Sequence, residues 1–354
     1  MLAATLLLWP GHGDGFQPPT VGRQLVGFSY SGRVAASNGV DPLLGLGQLV
    51  SGVHPDIVRL PVYWDAVEPR EGDFDFKELD AQLDLIAAHN RASRHHPATR
   101  VVLVVGVRNL GSPEVFIPDW YAEQHLPQSL GDVAASDAHR GYLAEVVARY
   151  AHHRLLYAWQ IQNEPLDDVT AGYPGHVGLG TELLDDEIGM LRGIDQVHQV
   201  VVTTYNSAGL NLDAVGASIL RPLVWHLPLP RPSGHPGDAL AHGDVLGLDV
   251  YVVTPATPLV QNNAIQRIAW KQETLVFWSI KAAGQGKELW ITEMQAEPWN
   301  DLPGFGTDEL IQSARAYRGQ GPRVTLLWGV ETWLIAPEWM HAGVTATKIL
   351  RGRQ

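Results

Sequence analysis

The stretch Leu156-Tyr-Ala-Trp-Gln-Ile-Gln-Asn-Glu-Pro165 decides the fold of this chain, because an apolar run ends there on an abrupt polar motif. The run has the length and composition of a strand buried in a parallel sheet. Pro165 lacks a backbone N–H and has a fixed φ, so we expect the strand to end before it. A helical stretch, Ala138–His152, precedes the run. The two together form one unit of a repeated helix–strand alternation.

The same alternation of short apolar runs and helical stretches continues from residue 23 to the end of the chain, and eight strands is the number that a closed barrel requires. The predicted strands are Gln24–Ser29, Ile57–Val62, Val101–Val107, Leu156–Ile161, Val200–Tyr205, Val245–Val250, Glu288–Thr292 and Val324–Trp328. Predicted helices include Phe76–His89, Ala138–His152, Glu182–Val197, Ile265–Ala283 and Asp308–Tyr317. The sequence therefore predicts an α/β fold, a single-domain (β/α)8 TIM barrel.

The domain organisation follows from what interrupts this rhythm. We interpret residues 1–20 as an apolar, flexible N-terminal segment, the possible remnant of a signal or anchor, and residues 21–354 as the catalytic domain. Secreted, membrane-anchored and cytoplasmic locations all stay open. Two longer loops, Leu166–Gly180 and Leu227–Gly237, are expected to shape substrate access, since loops that follow barrel strands build the active face.

Composition excludes several classes of function. The formal charge is −13, from 38 acidic residues against 25 Lys and Arg, so the overall field would repel nucleic acid. Cysteine is absent, which excludes disulfides and thiolate metal sites, and we find no histidine spacing typical of a metal site. No stretch of the barrel is apolar over the roughly 18 residues that a membrane span needs. We predict no cofactor, and the oligomeric state stays open.

Two glutamates at the ends of predicted strands carry the chemistry that the pattern suggests. Glu164 follows strand four, and Glu293 follows the apolar run of strand seven in Lys287-Glu-Leu-Trp-Ile-Thr-Glu-Met-Gln-Ala-Glu-Pro-Trp299. Glu297 lies four residues further on, in the loop, and is less suited to the role of nucleophile. Cleavage of a glycosidic bond needs one carboxylic acid to protonate the leaving oxygen and a second carboxylate to attack or to activate water. The pair therefore predicts a glycoside hydrolase acting on a carbohydrate.

The sequence resembles clan A glycoside hydrolases, cellulase-like enzymes such as those of families 5, 39 and 42. These enzymes carry an Asn-Glu pair after strand four and a Glu after strand seven, and Asn163-Glu164-Pro165 and Ile291-Thr292-Glu293 match both motifs. The resemblance implies a retaining mechanism, with Glu164 as general acid and base and Glu293 as nucleophile. It also implies that Asn163 binds the sugar hydroxyl beside the reacting carbon.

The resemblance extends to three other strands. In Ile57-Val-Arg-Leu-Pro-Val-Tyr-Trp64, Arg59 corresponds to the clan's strand-borne Arg, which implies that it orients the nucleophile and keeps it ionised. Tyr251, at the end of strand six, corresponds to a Tyr that hydrogen-bonds the nucleophile. Trp328, at the end of strand eight, corresponds to the Trp that forms the floor under the sugar.

The chain also departs from the clan at two strands. Asp249 stands where many family 5 members have His, and Arg108-Asn109 replaces a frequent strand-three His. We expect Asn109, with Arg108, either to contact substrate hydroxyls or to take part in a buried ionic arrangement inside the rim. Trp64 and Trp299 are candidate sugar platforms, although loop packing explains each equally well.

Three other functions remain compatible with the residues. A transglycosylase would use the same two glutamates, with a sugar instead of water intercepting the intermediate. A carbohydrate-binding pseudoenzyme would keep the aromatic groove without turnover, but it would be expected to lack one carboxylate. An unrelated barrel enzyme could use Glu164 as a proton-abstracting base.

Overall fold

The computed structural model describes residues 18–19, 22–93, 96–111, 114–125, 129–167, 178–205, 234–253, 264–298 and 304–352. Eight parallel strands close into a barrel in which each strand pairs with the next and β8 pairs with β1, so the predicted TIM barrel is confirmed. The strands are β1 Leu25–Ser29, β2 Ile57–Pro61, β3 Arg100–Val105, β4 Leu156–Ile161, β5 Gln199–Thr204, β6 Val245–Val250, β7 Glu288–Gln295 and β8 Val324–Trp328.

Helices surround this sheet, and the largest apolar cluster lies between them and the outer faces of the strands. In the described residues they are α1 Gly32–Ser37, α2 Pro42–Val53, α3 Trp64–Val67, α4 Lys77–Ala92, α5 Asp119–Gln124, α6 Leu130–Ala134, α7 Asp137–Tyr150, α8 Thr181–Ile194, α9 Pro236–His242, α10 Ala264–Gly284, α11 Thr307–Tyr317 and α12 Pro337–Leu350. A 3₁₀ helix, Val330–Leu334, follows β8.

Two predicted helix ends were wrong by three residues, since α4 continues past the predicted His89 to Ala92 and α8 ends early. We expected α8 to reach Val197, but the helix ends at Ile194. Asp195 follows it, and its Oδ1 accepts hydrogen bonds from the backbone N–H groups of Val197 and His198, at 2.9 and 3.2 Å. A side chain that satisfies these donors stabilises a turn in place of a further helical turn.

Strand β7 is longer than predicted, and this places Glu293 inside the sheet. The sequence suggested a strand that ends at Thr292, but pairing continues to Gln295, where the strand is opposite Trp328 of β8. On the other side Glu293 pairs with Asp249 of β6, after a register shift between Leu248 and Asp249. The nucleophile candidate is therefore held by a rigid strand instead of a loop.

The interior of the barrel changes from apolar to polar along the strands. A small cluster that includes Leu25, Ile57, Ala158 and Val201 fills the end at which the strands begin. Side chains two residues further along a strand face the same side. By this rule Arg59 lies above Ile57, Gln160 above Ala158 and Thr203 above Val201. On β1, Ser29 lies above Leu25 on the same face, with Gly27 between them. The polar layer forms at the end where loops follow the strands, which is the active end of such barrels.

Several expectations lie outside the described residues. They concern Trp299, most of the N-terminal segment 1–20, and most of the loops Leu166–Gly180 and Leu227–Gly237. Among the helices in the described ranges, none combines the length and the apolar character that crossing a bilayer demands.

Candidate active site

Three buried carboxyls meet at the end of the barrel where the loops follow the strands. One carboxylate oxygen from each of Glu164, Asp249 and Glu293 lies within 4.8 Å of the others. Asp249 and Glu293 are neighbours because they are paired in the register of β6 and β7. Their exposed fractions are 1 and 2%, and that of Glu164 is 5%. Burial makes every charge in this cluster costly unless it has a partner.

Glu293 has partners on both carboxylate oxygens. Arg59 donates from Nη2 to Oε1 at 2.6 Å, and the Tyr251 hydroxyl donates to Oε2. Both bonds favour the ionised carboxylate, which is the form that a nucleophile needs. Glu297, the other candidate on this segment, accepts a hydrogen bond from the Thr332 hydroxyl at 3.0 Å instead. The structure thus brings together the charge partner and the hydroxyl that the resemblance implies for Glu293.

Arg59 is itself fixed by the polar layer of the barrel. It is fully buried, and it donates from Nε to the Ser29 hydroxyl at 2.8 Å and from Nη1 to Oε1 of Gln160 at 2.9 Å. Its guanidinium also lies 5.6 Å from the centre of the Trp328 ring. Because three strands hold the guanidinium, its position opposite Glu293 is set before any substrate binds.

Glu164 is positioned by its backbone. Both Gln162 and Glu164 have left-handed φ angles, 56° and 46°, which are uncommon for residues other than glycine. The Thr203 hydroxyl accepts a hydrogen bond from the Glu164 N–H at 2.9 Å, and Arg108 donates from Nη1 to the Glu164 carbonyl. Such conformations are costly and persist where the surroundings enforce them, as at functional sites. The turn directs the Glu164 side chain toward Glu293.

The turn before Glu164 depends on a buried amide. Gln162 accepts from the Arg108 N–H at 2.8 Å and donates to Glu187 at 2.7 Å. A Cβ on Gly106, whose φ is 133°, would lie 2.3 Å from the Gln162 carboxamide. Burial raises the pKa of Glu187 to about 8, so this carboxyl is neutral at pH 7. A buried, hydrogen-bonded network therefore supports the turn before Glu164.

The two glutamates differ in what acts on their protons. Burial raises the pKa of Glu164 well above its usual range, and the Asp249 carboxylate adds to this effect. Burial also raises the pKa of Glu293, but the Arg59 guanidinium and the Tyr251 hydroxyl oppose the increase. A pair of carboxyls whose environments differ in this way can hold one proton and one charge at the same pH. The arrangement suits an acid at 164 and a nucleophile at 293.

Asn163 and Trp328 lie beside these groups, with atoms that a ligand could contact. Asn163 is buried, and its Oδ1 accepts from Gln160 Nε2 at 3.1 Å. Its Nδ2 has no hydrogen-bond partner in the described part of the chain, so it can donate to a ligand oxygen. The Trp328 side chain is partly exposed. One donor and one aromatic face are typical of a sugar subsite.

Two expected substrate contacts are not supported by the structure. Trp64 is fully buried, donates to Glu68 Oε2 at 2.7 Å, and packs against aromatic rings that include Tyr142, so it offers no face to a sugar. Asn109 is also fully buried, and its Nδ2 donates to the carbonyls of Val62 and Val104 at 3.1 and 3.0 Å. Trp64 packs inside the fold and Asn109 donates hydrogen bonds to backbone carbonyls, so the polar atoms that these bonds use are not available to a substrate.

Arg108 takes part in a buried ionic arrangement inside the rim, the second of the two roles expected for it. Its side chain is 1% exposed, forms a 3.0 Å ion pair with Glu114 and lies 3.9 Å from a carboxylate oxygen of Glu164. It also donates to the Asp167 carbonyl at 2.8 Å. The side chain therefore joins the segments after β3 and β4.

The sequence reasoning missed three members of the site. Asp249 was treated only as a departure from a histidine, and Gln160 and Thr203 were not considered. A usable signal existed for each of them. Asp249 of β6 precedes Tyr251, directly after the strand, by two residues, and residues with that spacing in an extended chain face the same side. The same rule applied to β4 and β5 places polar side chains inside the barrel.

The three carboxyls also have the spacing of a cation site. Among the described residues, theirs is the one group of three or more acidic or histidine side chains with ligand atoms this close. The Arg59 guanidinium, however, already bonds Glu293 at 2.6 Å. Its positive charge would repel a metal ion at the same place. The chemistry of this donor set favours proton transfer over metal binding.

Comparison with known proteins gives likeness in fold. No family model and no curated protein matches the sequence. GH5_18 from Streptomyces cattleya in complex with GlcNAc matches with a TM-score of 0.61 and 16% identity, over 88% of this chain and 71% of that one. Gan42B, a GH42 β-galactosidase from G. stearothermophilus, matches with a TM-score of 0.63 and 14% identity, over 95% and 58%.

A third solved structure is an exo-β-1,4-mannosidase, Op5Man5, from Opitutaceae bacterium strain TAV5. It matches with a TM-score of 0.56 and 17% identity, over 97% of this chain and 62% of that one. This chain thus spans about three fifths of the length of the mannosidase and of the β-galactosidase. The barrel that the clan A resemblance implied is confirmed at the level of the fold.

Proposed function

We propose that this protein is a retaining glycoside hydrolase that cleaves a β-linked glycoside or polysaccharide, with Glu293 as nucleophile and Glu164 as general acid and base. The observation that carries the proposal is the contrast between the two carboxyls. Glu293 is bonded by a guanidinium and a hydroxyl, whereas Glu164 lies next to another acid. The fold is consistent with this activity, since the solved structures that it resembles include a β-galactosidase and a β-mannosidase.

The reaction proceeds in two steps at the anomeric carbon, with Glu293 and Glu164 acting from opposite faces of the sugar. In the first step the Glu293 carboxylate attacks the anomeric carbon, the bond to the leaving oxygen breaks, and Glu164 donates its proton to that oxygen. In the second step the Glu164 carboxylate takes a proton from water, whose oxygen attacks the anomeric carbon and releases Glu293 from the ester. Two inversions at the same carbon retain its configuration.

The distance between the carboxyls supports double displacement. Retaining enzymes have carboxyls about 5 to 5.5 Å apart, and inverting enzymes need roughly 6.5 to 9.5 Å to admit a water molecule. Oxygens of Glu164 and Glu293 lie within 4.8 Å of one another. This upper limit on the oxygen–oxygen distance is in line with the shorter separation of the retaining class.

Asn163 and Trp328 supply the sugar contacts in this proposal. The Asn163 amide donates to the hydroxyl next to the reacting carbon, and the Trp328 ring packs under the sugar. Arg59 links the two halves of the site, because it bonds Glu293 and lies against the Trp328 ring. A sugar bound over Trp328 therefore has its anomeric carbon close to Glu293.

The experiment is a panel of aryl β-glycosides (glucoside, galactoside, mannoside and xyloside) together with soluble polysaccharides. We expect turnover of at least one aryl β-glycoside by the wild-type protein and none by Glu293→Gln. A sugar that binds without turnover would instead identify a carbohydrate-binding protein. Transfer to an added sugar acceptor in preference to water would identify a transglycosylase.

A further inference from the structure

The carboxyl of Asp249 has no role in the reaction described above, although it lies at its centre. It is 1% exposed, and its Oδ1 accepts a hydrogen bond from the Thr292 hydroxyl at 2.7 Å. Its Oδ2 is buried and has no ordinary N–H or O–H donor among the residues that the structure describes. A buried carboxylate oxygen without a donor costs free energy, so its retention at this position calls for an explanation.

The neighbour of Asp249 that can supply the missing donor is Glu164. One carboxylate oxygen of Glu164 lies within 4.8 Å of one of Asp249, and both side chains are buried. Carboxylates accept hydrogen bonds and cannot donate them, so two carboxyls bond only when one of them carries a proton. A hydrogen bond between the two therefore requires a proton on the pair, and two like charges at this separation cannot both form without a large penalty.

We infer that Asp249 is a positioning residue that shares one proton with Glu164 and so keeps the general acid protonated at neutral and mildly alkaline pH. This inference rests on the proposed function for its catalytic meaning. The shared proton itself rests on the buried geometry of the pair. Burial and the charge of Glu293 raise the pKa of Asp249 well above its usual range, which agrees with a pair that retains its proton.

The reaction is balanced with this pair. In the resting site Glu293 is ionised and the pair carries one proton. When Glu293 forms the ester it loses its negative charge, and the proton moves from Glu164 to the leaving oxygen, so the pair becomes fully ionised as its anionic neighbour is neutralised. Attack by water returns the proton to the pair and the charge to Glu293. The total charge of the three carboxyls is the same in both states.

Other charged groups face the pair from the surrounding strands and loops. Arg59 of β2 lowers the pKa of Asp249, whereas Glu293 of β7 raises it. The pKa of Glu164 is raised by Glu114 and Asp167 as well as by Asp249 and Glu293, and Arg108 lies 3.9 Å from its carboxylate. The Tyr251 hydroxyl is neutral, because burial and these acids raise its pKa. Among these charges, that of Asp249 raises the pKa of Glu164 the most.

The test compares Asp249→Asn and Asp249→Ala with the wild type. Both variants remove the negative charge beside Glu164, so the alkaline limb of the kcat/KM profile should move to lower pH by about one unit. The acidic limb should move less. Asp244→Asn is the matched control, because Asp244 precedes the same strand at the opposite end of the barrel, where it pairs with Arg192. Its profile should coincide with that of the wild type.

A second readout does not depend on activity. Groups whose pKa is raised by folding stabilise the protein fully at low pH, and this stability is lost as pH rises through the folded-state pKa. The wild type should therefore lose thermal stability more steeply between pH 5 and 9 than Asp249→Asn. The Tm of the variant relative to the wild type should rise by about 2 °C or more over that range.

The two readouts separate the inference from the proposed function. An unchanged alkaline limb in an active Asp249→Asn, or Tm curves parallel to the wild type, would overturn the inference. A wild type that hydrolyses no glycoside while its Tm curve diverges from that of Asp249→Asn would remove the proposed function and leave the shared proton in place. If Asp249 had only a structural role, Asp249→Asn would lower Tm by the same amount at every pH.

Discussion

The ends of β4 and β7 each place a glutamate in the same buried cluster of carboxyls, but the chain holds the two in different ways. Glu164 follows its strand in a left-handed turn and has an acid, Asp249, beside its carboxyl. Glu293 lies within its strand and is bonded by Arg59 and Tyr251. In the proposed mechanism the same side chain therefore keeps a proton in one place and a negative charge in the other.

The largest expected effect comes from the β7 side of this comparison. Glu293→Gln removes the nucleophile while preserving its size, so kcat should fall by at least about 10⁴-fold. Steady-state kinetics on the best aryl β-glycoside of the panel measures the change. Glu297→Gln is the matched control, since it lies four residues away on the same segment and should retain most activity. A Glu293→Gln protein with more than a tenth of wild-type activity would refute the assignment.

The β4 side should give a smaller effect that depends on the leaving group. Glu164→Ala removes the proton donor, so substrates with poor leaving groups should slow by about 10²- to 10⁴-fold. Activated aryl glycosides need little protonation and should slow far less in the first step. A Brønsted plot of kcat/KM against leaving-group pKa should be steeper for the variant than for the wild type. Parallel plots would contradict the acid role.

A substitution of Arg59 should affect Glu293 more than Glu164, because Arg59 bonds Glu293 directly. Arg59→Lys keeps the charge but cannot bond Ser29, Gln160 and Glu293 at once, so kcat/KM should fall by about 10²-fold. The pKa of Glu293 should rise as its charge partner weakens, and the acidic limb of the pH profile should move to higher pH. An acidic limb at the wild-type position would show that Arg59 does not keep the nucleophile ionised.

The smallest effects should come from the tryptophans. Trp328→Ala should raise KM by about 2- to 10-fold, through loss of ring contacts, with a smaller change in Tm. Trp64→Phe leaves Glu68 Oε2 without its indole donor, so it should lower the free energy of unfolding by about 1 to 3 kcal/mol with KM unchanged. Steady-state kinetics measures KM, and thermal unfolding measures stability, for both tryptophan variants. A raised KM with unchanged stability in Trp64→Phe would instead indicate that Trp64 contacts the substrate.

The barrel was predictable because its signals are local. Apolar runs bounded by polar motifs gave all eight strands in order, and most bounds agree within two residues. The extension of β7 to Gln295 was not visible, because it depends on pairing with β6 and β8 across the register shift. Register is a property of neighbouring strands, and a single strand's sequence does not contain it.

The candidate site was predictable where a residue's place on a strand fixes its direction. The strand ends predicted Glu164 and Glu293, the clan A resemblance implied Arg59, Tyr251 and Trp328, and the structure brings these residues together. For Asn109 and Trp64 the structure favours the buried alternative over a substrate contact, since each follows its strand and turns back into the fold, where backbone carbonyls or a carboxylate satisfy its donor. Proximity to a strand end predicts access only for a side chain whose polar atoms are not already satisfied.

The most direct test of the account is the anomeric configuration of the product that azide forms in two variants. With an activated aryl β-glycoside, azide should intercept the glycosyl-enzyme of Glu164→Ala and give the β-glycosyl azide, because no base is needed for its attack. In Glu293→Ala azide should occupy the place of the missing nucleophile and give the α-glycosyl azide. NMR distinguishes the two products. The same anomer from both variants, or the two anomers exchanged, would contradict the roles assigned to Glu164 and Glu293.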